Sequence, residues 1–220
     1  MNQPTRKNPS QDESSDTPEV GVGPWIGELP TDPRFDSELL REGDRRNVVD
    51  KYRYWRMDAI VEDLDRHRFP FHVAIENLEH DLNIGSIVRS ANAFMAAEVH
   101  IVGRRRWNRR GAMVTDRYQH VRHHEDVTAL AEWAQRQGLP IIGIDNLPGS
   151  VPLETFDLPR ECILLFGQEG AGLTDEASKV VQACLSIAQF GSTRSINAGA
   201  AAAIAMHAWI RRHQFNQESN

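Results

Sequence analysis

Three short segments hold side chains whose types and spacing suit chemistry. The first, "NIGSIVRSAN" at residues 83–92, opens a helix on Asn83 and sets Arg89 one turn after Ser86 on the same face. Asn83 is of the type that caps a helix, and Gly85 allows another backbone to come close. Ile84, Ile87, Val88 and Ala91 would form the buried side of this helix. A single arginine on an amphipathic helix is ordinarily just solvated, so Arg89 gains meaning only from its company.

The second, "LLFGQEGAGLT" at 164–174, runs from an apolar segment into a glycine-rich turn. Gly167, Gly172 and Thr174 fit the spacing of a phosphate-binding loop, G-x-x-x-x-G-K-[ST], but Leu173 stands where the lysine is needed. Glu169 lies inside the turn, and Asp175 and Glu176 fall in the first turn of the next helix. Three carboxylates suit the helix dipole and repel a phosphate. An uncharged or cationic guest fits this loop better than a polyphosphate, which sets aside a nucleoside-triphosphate enzyme.

The third, "GSTRSINAGAAAAIAMH" at 191–207, passes from a strand through a short loop into a helix, with Ser195 as its expected cap. Residues 198–203 are all alanine or glycine, so something must lie very close to this helix. Ser195 and Asn197 stand at its mouth, beyond a strand's C-terminal end, where α/β proteins usually bind ligands.

Residues 69–215 can position these segments. Apolar runs at 71–75, 98–103, 140–145, 162–167 and 184–190 alternate with helical patterns at 84–97, 126–137, 174–182 and 195–213. Val121 is a candidate for a short extra strand. Strands alternating with helices predict an α/β domain, a mainly parallel sheet flanked by helices. Ahead of it, 31–68 reads as a helical extension broken near Gly43, and 1–30 as a disordered acidic tail. In the extension, "KYRYWR" at 51–56 suits RNA contact and a packing stripe equally well. Cys162 and Cys184 sit in apolar runs and read as buried thiols. The start of the chain has no apolar signal core and no run is long enough to span a membrane, so a cytoplasmic protein is expected.

The net charge of -6 argues at first against a polyanionic partner. It all lies in residues 1–44, which hold four basic and ten acidic residues; the rest of the chain is neutral. Within that neutral body, residues 103–124 carry seven arginines against one acid, Asp116. Trp107 and Tyr118 are interleaved with them. Arg104, Arg105, Arg106, Arg109 and Arg110 are the candidate RNA contacts, through phosphate charge and base stacking.

Taken in order, N-x-G-x-x-x-R, F-G-x-E-x-x-G-L and S-[IL]-N followed by small residues resemble the SpoU/TrmH family of SPOUT-class RNA 2′-O-ribose methyltransferases. The resemblance covers about residues 70–213. It implies a SPOUT-type fold with a deep C-terminal trefoil knot, S-adenosylmethionine bound in the knot, a homodimer, and tRNA or rRNA as substrate. It implies Asn83, Arg89, Glu169, Ser195 and Asn197 as the catalytic set. Backbone at Leu165 to Gly167, with Ile187 and Ile196, would hold the cofactor's adenosine. The family often has I-P-M where this chain has "IAQ" (187–189), and V-S-V-A where it has "AGAA" (198–201).

Methyl transfer from a sulfonium to a hydroxyl is an in-line displacement needing alignment and help with one proton. The three motifs contain no His- or Cys-rich ligand spacing, so no metal is expected. Arg89, a permanently charged guanidinium, suits positioning of the target phosphate and stabilisation of the developing oxyanion better than proton abstraction. A non-catalytic knotted RNA-binding protein and a base methyltransferase of the same superclass are the alternative readings.

Overall fold

The computed structural model describes residues 21–77, 83–168 and 172–215. The chain divides into two compact units between Arg56 and Met57.

The first unit is poor in aliphatic residues and is organised around a carboxylate. Asp44, with no exposed surface, accepts hydrogen bonds from Arg46 N (3.0 Å), Arg46 Nε (2.9 Å), Arg46 Nη2 (2.7 Å) and Tyr54 N (2.9 Å). Helix α1 (Ser37–Glu42) is capped by Asp36 and stops at Gly43, whose φ of 94° favours glycine. A 3-10 turn at Asp50–Tyr52 and a left-handed Tyr54 (φ 62°) prevent one continuous helix through this stretch. Residues 21–30, expected to be part of a loose tail, are held here. Val22 bridges Asp44, and Trp25 stands edge-on to Phe35 and Tyr54 at 6.0 and 5.4 Å. A pair of backbone hydrogen bonds at Val22 and one tryptophan suffice, because aromatic partners wait for the Trp25 ring. Residues 1–20 lie outside the described residues. Of the two readings of "KYRYWR", packing prevails: Tyr54 and Trp55 are buried, and the Arg34 guanidinium lies over the Trp55 ring at 4.3 Å.

Burial alone would raise the Asp44 carboxyl, but hydrogen bonds from Arg46 and Tyr54 outweigh it and hold it at about 2, below the ordinary 3.8. A carboxyl depressed on folding contributes stability above its unfolded pKa and loses it as pH falls through the folded one. Asp44→Asn should therefore cost about 1–3 kcal/mol at neutral pH. In denaturant unfolding, the gap to wild type should close as pH drops from 3.8 toward about 2.

The second unit begins with α2 (Met57–Asp65). Among the described residues, seven strands follow: β1 (Phe71–Asn77), β2 (Val99–Gly103), β3 (Val121–His124), β4 (Ile141–Ile144), β5 (Val151–Pro152), β6 (Cys162–Phe166) and β7 (Ala183–Ser186). They form one sheet in the order β3-β2-β1-β6-β4-β7-β5, and every neighbouring pair is parallel. Central strands covered on both faces must be apolar throughout. Accordingly, every residue of β6 is buried. Four helices cover the sheet: α3 (Ile84–Ala93), α4 (Val127–Gln137), α5 (Asp175–Val180) and α6 (Ala198–Ile210). Phe71, Val73 and Ile75 pack with α3 and α6 on one face; Ala74, Ile163 and Leu165 pack with α4 and α5 on the other. Trp209 of α6 is fully buried against Phe71, and its indole N–H donates to the carbonyls of Pro159 and Arg160.

Val121 does open an extra strand, β3. The last expected strand, 184–190, is shorter than its apolar run. Its neighbour β4 ends at Ile144 and β5 is two residues long, so nothing remains to pair beyond Ser186. Cys162 and Cys184 are free thiols, and burial pushes Cys162 up to about 12. Among the described residues, no helix is long and apolar enough to cross a membrane.

Candidate active site

The parallel strands β6, β4 and β7 end side by side, and the chain leaving each one walls a cleft of about 410 Å³. Phe166 ends β6 and Gly167 and Gln168 follow it, Ile144 ends β4 and Asp145 to Leu147 follow it, and Ile187 and Gln189 follow β7. Gly172, the run Ser195–Ala198 and Ala201 complete the lining among the described residues. This is the C-terminal edge, where open α/β sheets bind ligands. The early end of β7 is what frees Ile187 and Gln189 for the cleft.

The glycine loop is closed by backbone. Gln168 and Gly172 exchange N–H···O bonds of 3.0 and 3.1 Å. The Asp145 carboxylate accepts from Leu173 N at 2.7 Å and from Asn146 N at 2.7 Å. Deeper in, the buried Glu76 at the end of β1 accepts from the backbone N–H and hydroxyl of Thr174 at 2.9 and 2.6 Å. Thr174 in turn caps α5, accepting from Ala177 N at 3.1 Å. Leu173 is buried in the core on the α4/α5 face, so the position of the phosphate loop's lysine is a packing position here. Among the described residues, no lysine or arginine side chain lines the cleft.

The first and third motifs meet at one rim. Asn197 Nδ2 donates to Asn83 Oδ1 at 2.8 Å, joining residues 114 positions apart. Asn197 Oδ1 also accepts from Ala200 N at 3.2 Å, so Asn197 caps α6, the role expected of Ser195. Asn83 makes no side-chain cap bond to α3, contrary to expectation, because its amide oxygen is turned to Asn197. Gly199 packs against Ser86: a Cβ there would lie 3.5 Å from that of Ser86. Arg89 follows Ser86 by one helical turn; it is exposed, and no partner for it appears among the described residues.

A family model for the SpoU rRNA Methylase family matches residues 70–207. The chain belongs to the SpoU family. It is 26% identical over 162 residues to the tRNA (guanosine(18)-2′-O)-methyltransferase of Escherichia coli (strain K12), covering 72% of this chain and 71% of that protein. It is 30% identical over 186 residues to an uncharacterized tRNA/rRNA methyltransferase of Mycolicibacterium vanbaalenii, covering 79% of this chain and 58% of the relative. The fold is similar to the SpoU methyltransferase AviRb from Streptomyces viridochromogenes in complex with AdoMet, with TM-score 0.59, 24% identity, and coverage of 68% of this chain and 60% of that one. It is equally similar to an AdoMet-bound rRNA methyltransferase from Sinorhizobium meliloti, with TM-score 0.59, 25% identity, and coverage of 70% and 61%. The chain thus spans about three fifths of the length of these solved structures.

In this SpoU chain, Gly167, Ile187, Ser195, Ile196 and Asn197 all line the cleft. Leu165 does not; its side chain is buried in the core on the α4/α5 face. Glu169 lies outside the described residues. The basic segment is nearer to the motifs than its sequence position implies. Asn77 Nδ2 holds the carbonyls of Arg104 and Arg106 at 2.5 and 3.0 Å. Gly85 and Gly111 touch backbone to backbone: a Cβ on Gly85 would lie 2.7 Å from Ala112 N. The arginine loop is thereby fastened to the end of β1 and the start of α3. Arg104, Arg105, Arg106, Arg109 and Arg110 are all exposed; Arg109 pairs with Asp116 at 3.3 Å and lies over Trp107 at 5.5 Å. The sequence reading missed Asp145, Glu76 and Gln189. Each is a single polar residue at a strand end, which no spacing rule marks.

Proposed function

We propose that this chain transfers a methyl group from S-adenosylmethionine to a ribose 2′-hydroxyl of tRNA or rRNA. The observation that carries this is the 2.8 Å Asn83–Asn197 bond, which closes the arginine-bearing helix onto the rim of the glycine-loop cleft. The cleft's chemistry fits the cofactor. Apolar Ile144, Leu147, Phe166, Ile187 and Ile196 suit an adenine, and the Asp145 carboxylate, with no cation lining the cleft among the described residues, suits a positively charged group. Gln189 Oε1 is buried with no hydrogen-bond partner among the described residues, an acceptor ready for a ligand N–H.

Bound there, S-adenosylmethionine supplies an electrophilic methyl. The chain's own work is alignment. Asn83 and Asn197 fix the starts of α3 and α6, and Arg89 holds the substrate phosphate and stabilises the alkoxide as the hydroxyl loses its proton to that phosphate. Ser195, in the cleft lining, would hydrogen-bond cofactor or ribose. Glu169 would brace the loop. Nuclease digestion and mass spectrometry of tRNA and rRNA, after incubation with protein and cofactor, tests this. A 2′-O-methylated nucleoside is expected; a methylated base or no product overturns it.

The arginine loop would dock the RNA. Reversing Arg104, Arg105 and Arg106 together to glutamate should weaken RNA binding at least tenfold and flatten its salt dependence by roughly three counter-ions. Filter binding across a salt series reads both.

Helix α6 is apolar but for His207, yet Ala200 and Ile204 are exposed, the latter by 43%. A helix of that kind wants cover, and a second copy of the chain is the proposed cover. The family's knot would thread the C-terminal segment so that α6 returns to α3. The cytoplasm, where tRNA and rRNA are processed, is the proposed place of action.

A further inference from the structure

Apart from the cleft lining, on the α4 face of the sheet, β1, β2 and β3 each contribute a histidine to one connected group. His72 Nδ1 lies 3.0 Å from His100 Nε2, and His100 Nδ1 lies 2.9 Å from His124 Nε2. Glu98, next to β2, brings a carboxylate oxygen to the same place; the ligand atoms of His72, Glu98 and His100 all fall within 4.8 Å of one another. Trp133 of α4 covers the group, its ring 4.5 Å from that of His100. None of these residues belongs to the methyl-transfer machinery.

We propose that His72 Nδ1, His100 Nε2 and the Glu98 carboxylate form a binding site for a zinc-class divalent transition-metal ion. Two imidazoles and one carboxylate, with a fourth position left to water, are a ligand set such ions take. Bonds of about 2.0–2.1 Å in a tetrahedral arrangement set two nitrogens about 3.3 Å apart, so the observed 3.0 Å needs a shift of only a few tenths of an ångström.

The outer contacts point the same way. A neutral imidazole carries one proton. If His100 gives its Nδ1–H to His124, its Nε2 is a bare lone pair aimed at His72. Metal-bound histidines characteristically have the second nitrogen so engaged, which fixes the tautomer and the ring plane. His72 then need only carry its own proton on Nε2 for two lone pairs to face one point. Glu98 is also engaged: both its oxygens lie 3.1 Å from Arg122 Nε, and the Arg122 guanidinium rests over Trp133 at 5.4 Å. A carboxylate has lone pairs enough to keep one bond to Arg122 and offer the other oxygen to a metal. A bound ion would clamp β1 to β2, the strands whose far ends carry Asn77 and the arginine loop. The absence of metal-ligand spacing in the three motifs does not bear on this site, because its ligands come from positions joined only by sheet register.

The test is calorimetric titration of the full chain with zinc chloride, with cobalt(II) absorption as reporter of the ligand field. One ion per chain is expected, with a raised melting temperature and cobalt bands of a four-coordinate nitrogen–oxygen site. His72→Gln and Glu98→Gln, changes at partly exposed positions, should each weaken zinc at least about tenfold while S-adenosylmethionine still binds. His124→Gln, acting through His100, should weaken it by about 10–100-fold. No saturable zinc binding by the wild-type chain would overturn the proposal. So would wild-type affinity in both His72→Gln and Glu98→Gln, which would place the ion elsewhere.

Discussion

Replacing Arg89 by alanine should lower methyl transfer by on the order of 10²–10³-fold, the usual cost of losing a charge-stabilising donor, with S-adenosylmethionine affinity unchanged. Arg89 is exposed on α3, one turn beyond Ser86, and packs in neither hydrophobic core. Its removal therefore leaves no cavity and no buried orphan, so stability should hold. The cleft lining does not include Arg89, and the cofactor should bind as before. On the proposed mechanism, the loss is that of a fork that would grip phosphate oxygens and face the charge developing on the ribose oxygen. Arg89→Lys should recover only part of the rate, because an ammonium is a point charge and cannot reproduce the planar two-point grip. Single-turnover kinetics with saturating RNA, alongside calorimetry with the cofactor, separate the two effects. Near-normal turnover in Arg89→Ala would remove Arg89 from the chemistry.

The sheet was legible because parallel strands buried on both faces must be written as apolar runs, and "CILLF" and "FHVAI" are such runs. Strand length was less legible. Nothing in "CLSIAQF" says that its partner strand stops first, and that stop is what turns Ile187 and Gln189 into cleft residues. The loops and the helix start of the site were legible as motifs, but the hydrogen bonding within them was not. Asn83 and Ser195 both looked like caps from local sequence. The structure gives the α6 cap to Asn197 and spends Asn83 on a bond across 114 positions. Asp145, Glu76 and the histidine group were invisible for the same reason. Their partners, Leu173, Thr174 and the neighbouring strands, become neighbours only once the order β3-β2-β1-β6-β4-β7-β5 exists. The arginine patch was legible in composition, and Gly85 announced a close backbone approach; that the approaching backbone is that of Gly111 and Ala112 in the arginine loop is what no pattern of side chains shows.

Gly167→Ala should weaken S-adenosylmethionine binding by on the order of 10²-fold or more, the scale of a 1 Å misplacement in a positioned site. The added Cβ would lie 2.0 Å from the carbonyl carbon of Gly172 and 2.2 Å from Leu173 N. These are backbone atoms, so no rotamer change relieves the overlap and the two sides of the loop must separate. Separation reaches the Gln168–Gly172 bridge, the 2.7 Å bond from Leu173 N to Asp145, and then the Thr174 contacts with Glu76. Gly172 cannot yield easily: its φ is 71°, and Asp145 Oδ2 stands 2.3 Å from where its own Cβ would be. The loop is thus set by backbone contact on one side and a carboxylate on the other. That arrangement explains why the spacing imitates a phosphate loop while the chemistry does not. In a phosphate loop the N–H groups stay free for the anion; here Gln168, Gly172, Leu173 and Thr174 all spend theirs inside the protein. Calorimetry with the cofactor, and a melting curve to register the accompanying loss of stability, measure the effect. Wild-type affinity in Gly167→Ala would mean that the loop's closure is not what shapes the cleft.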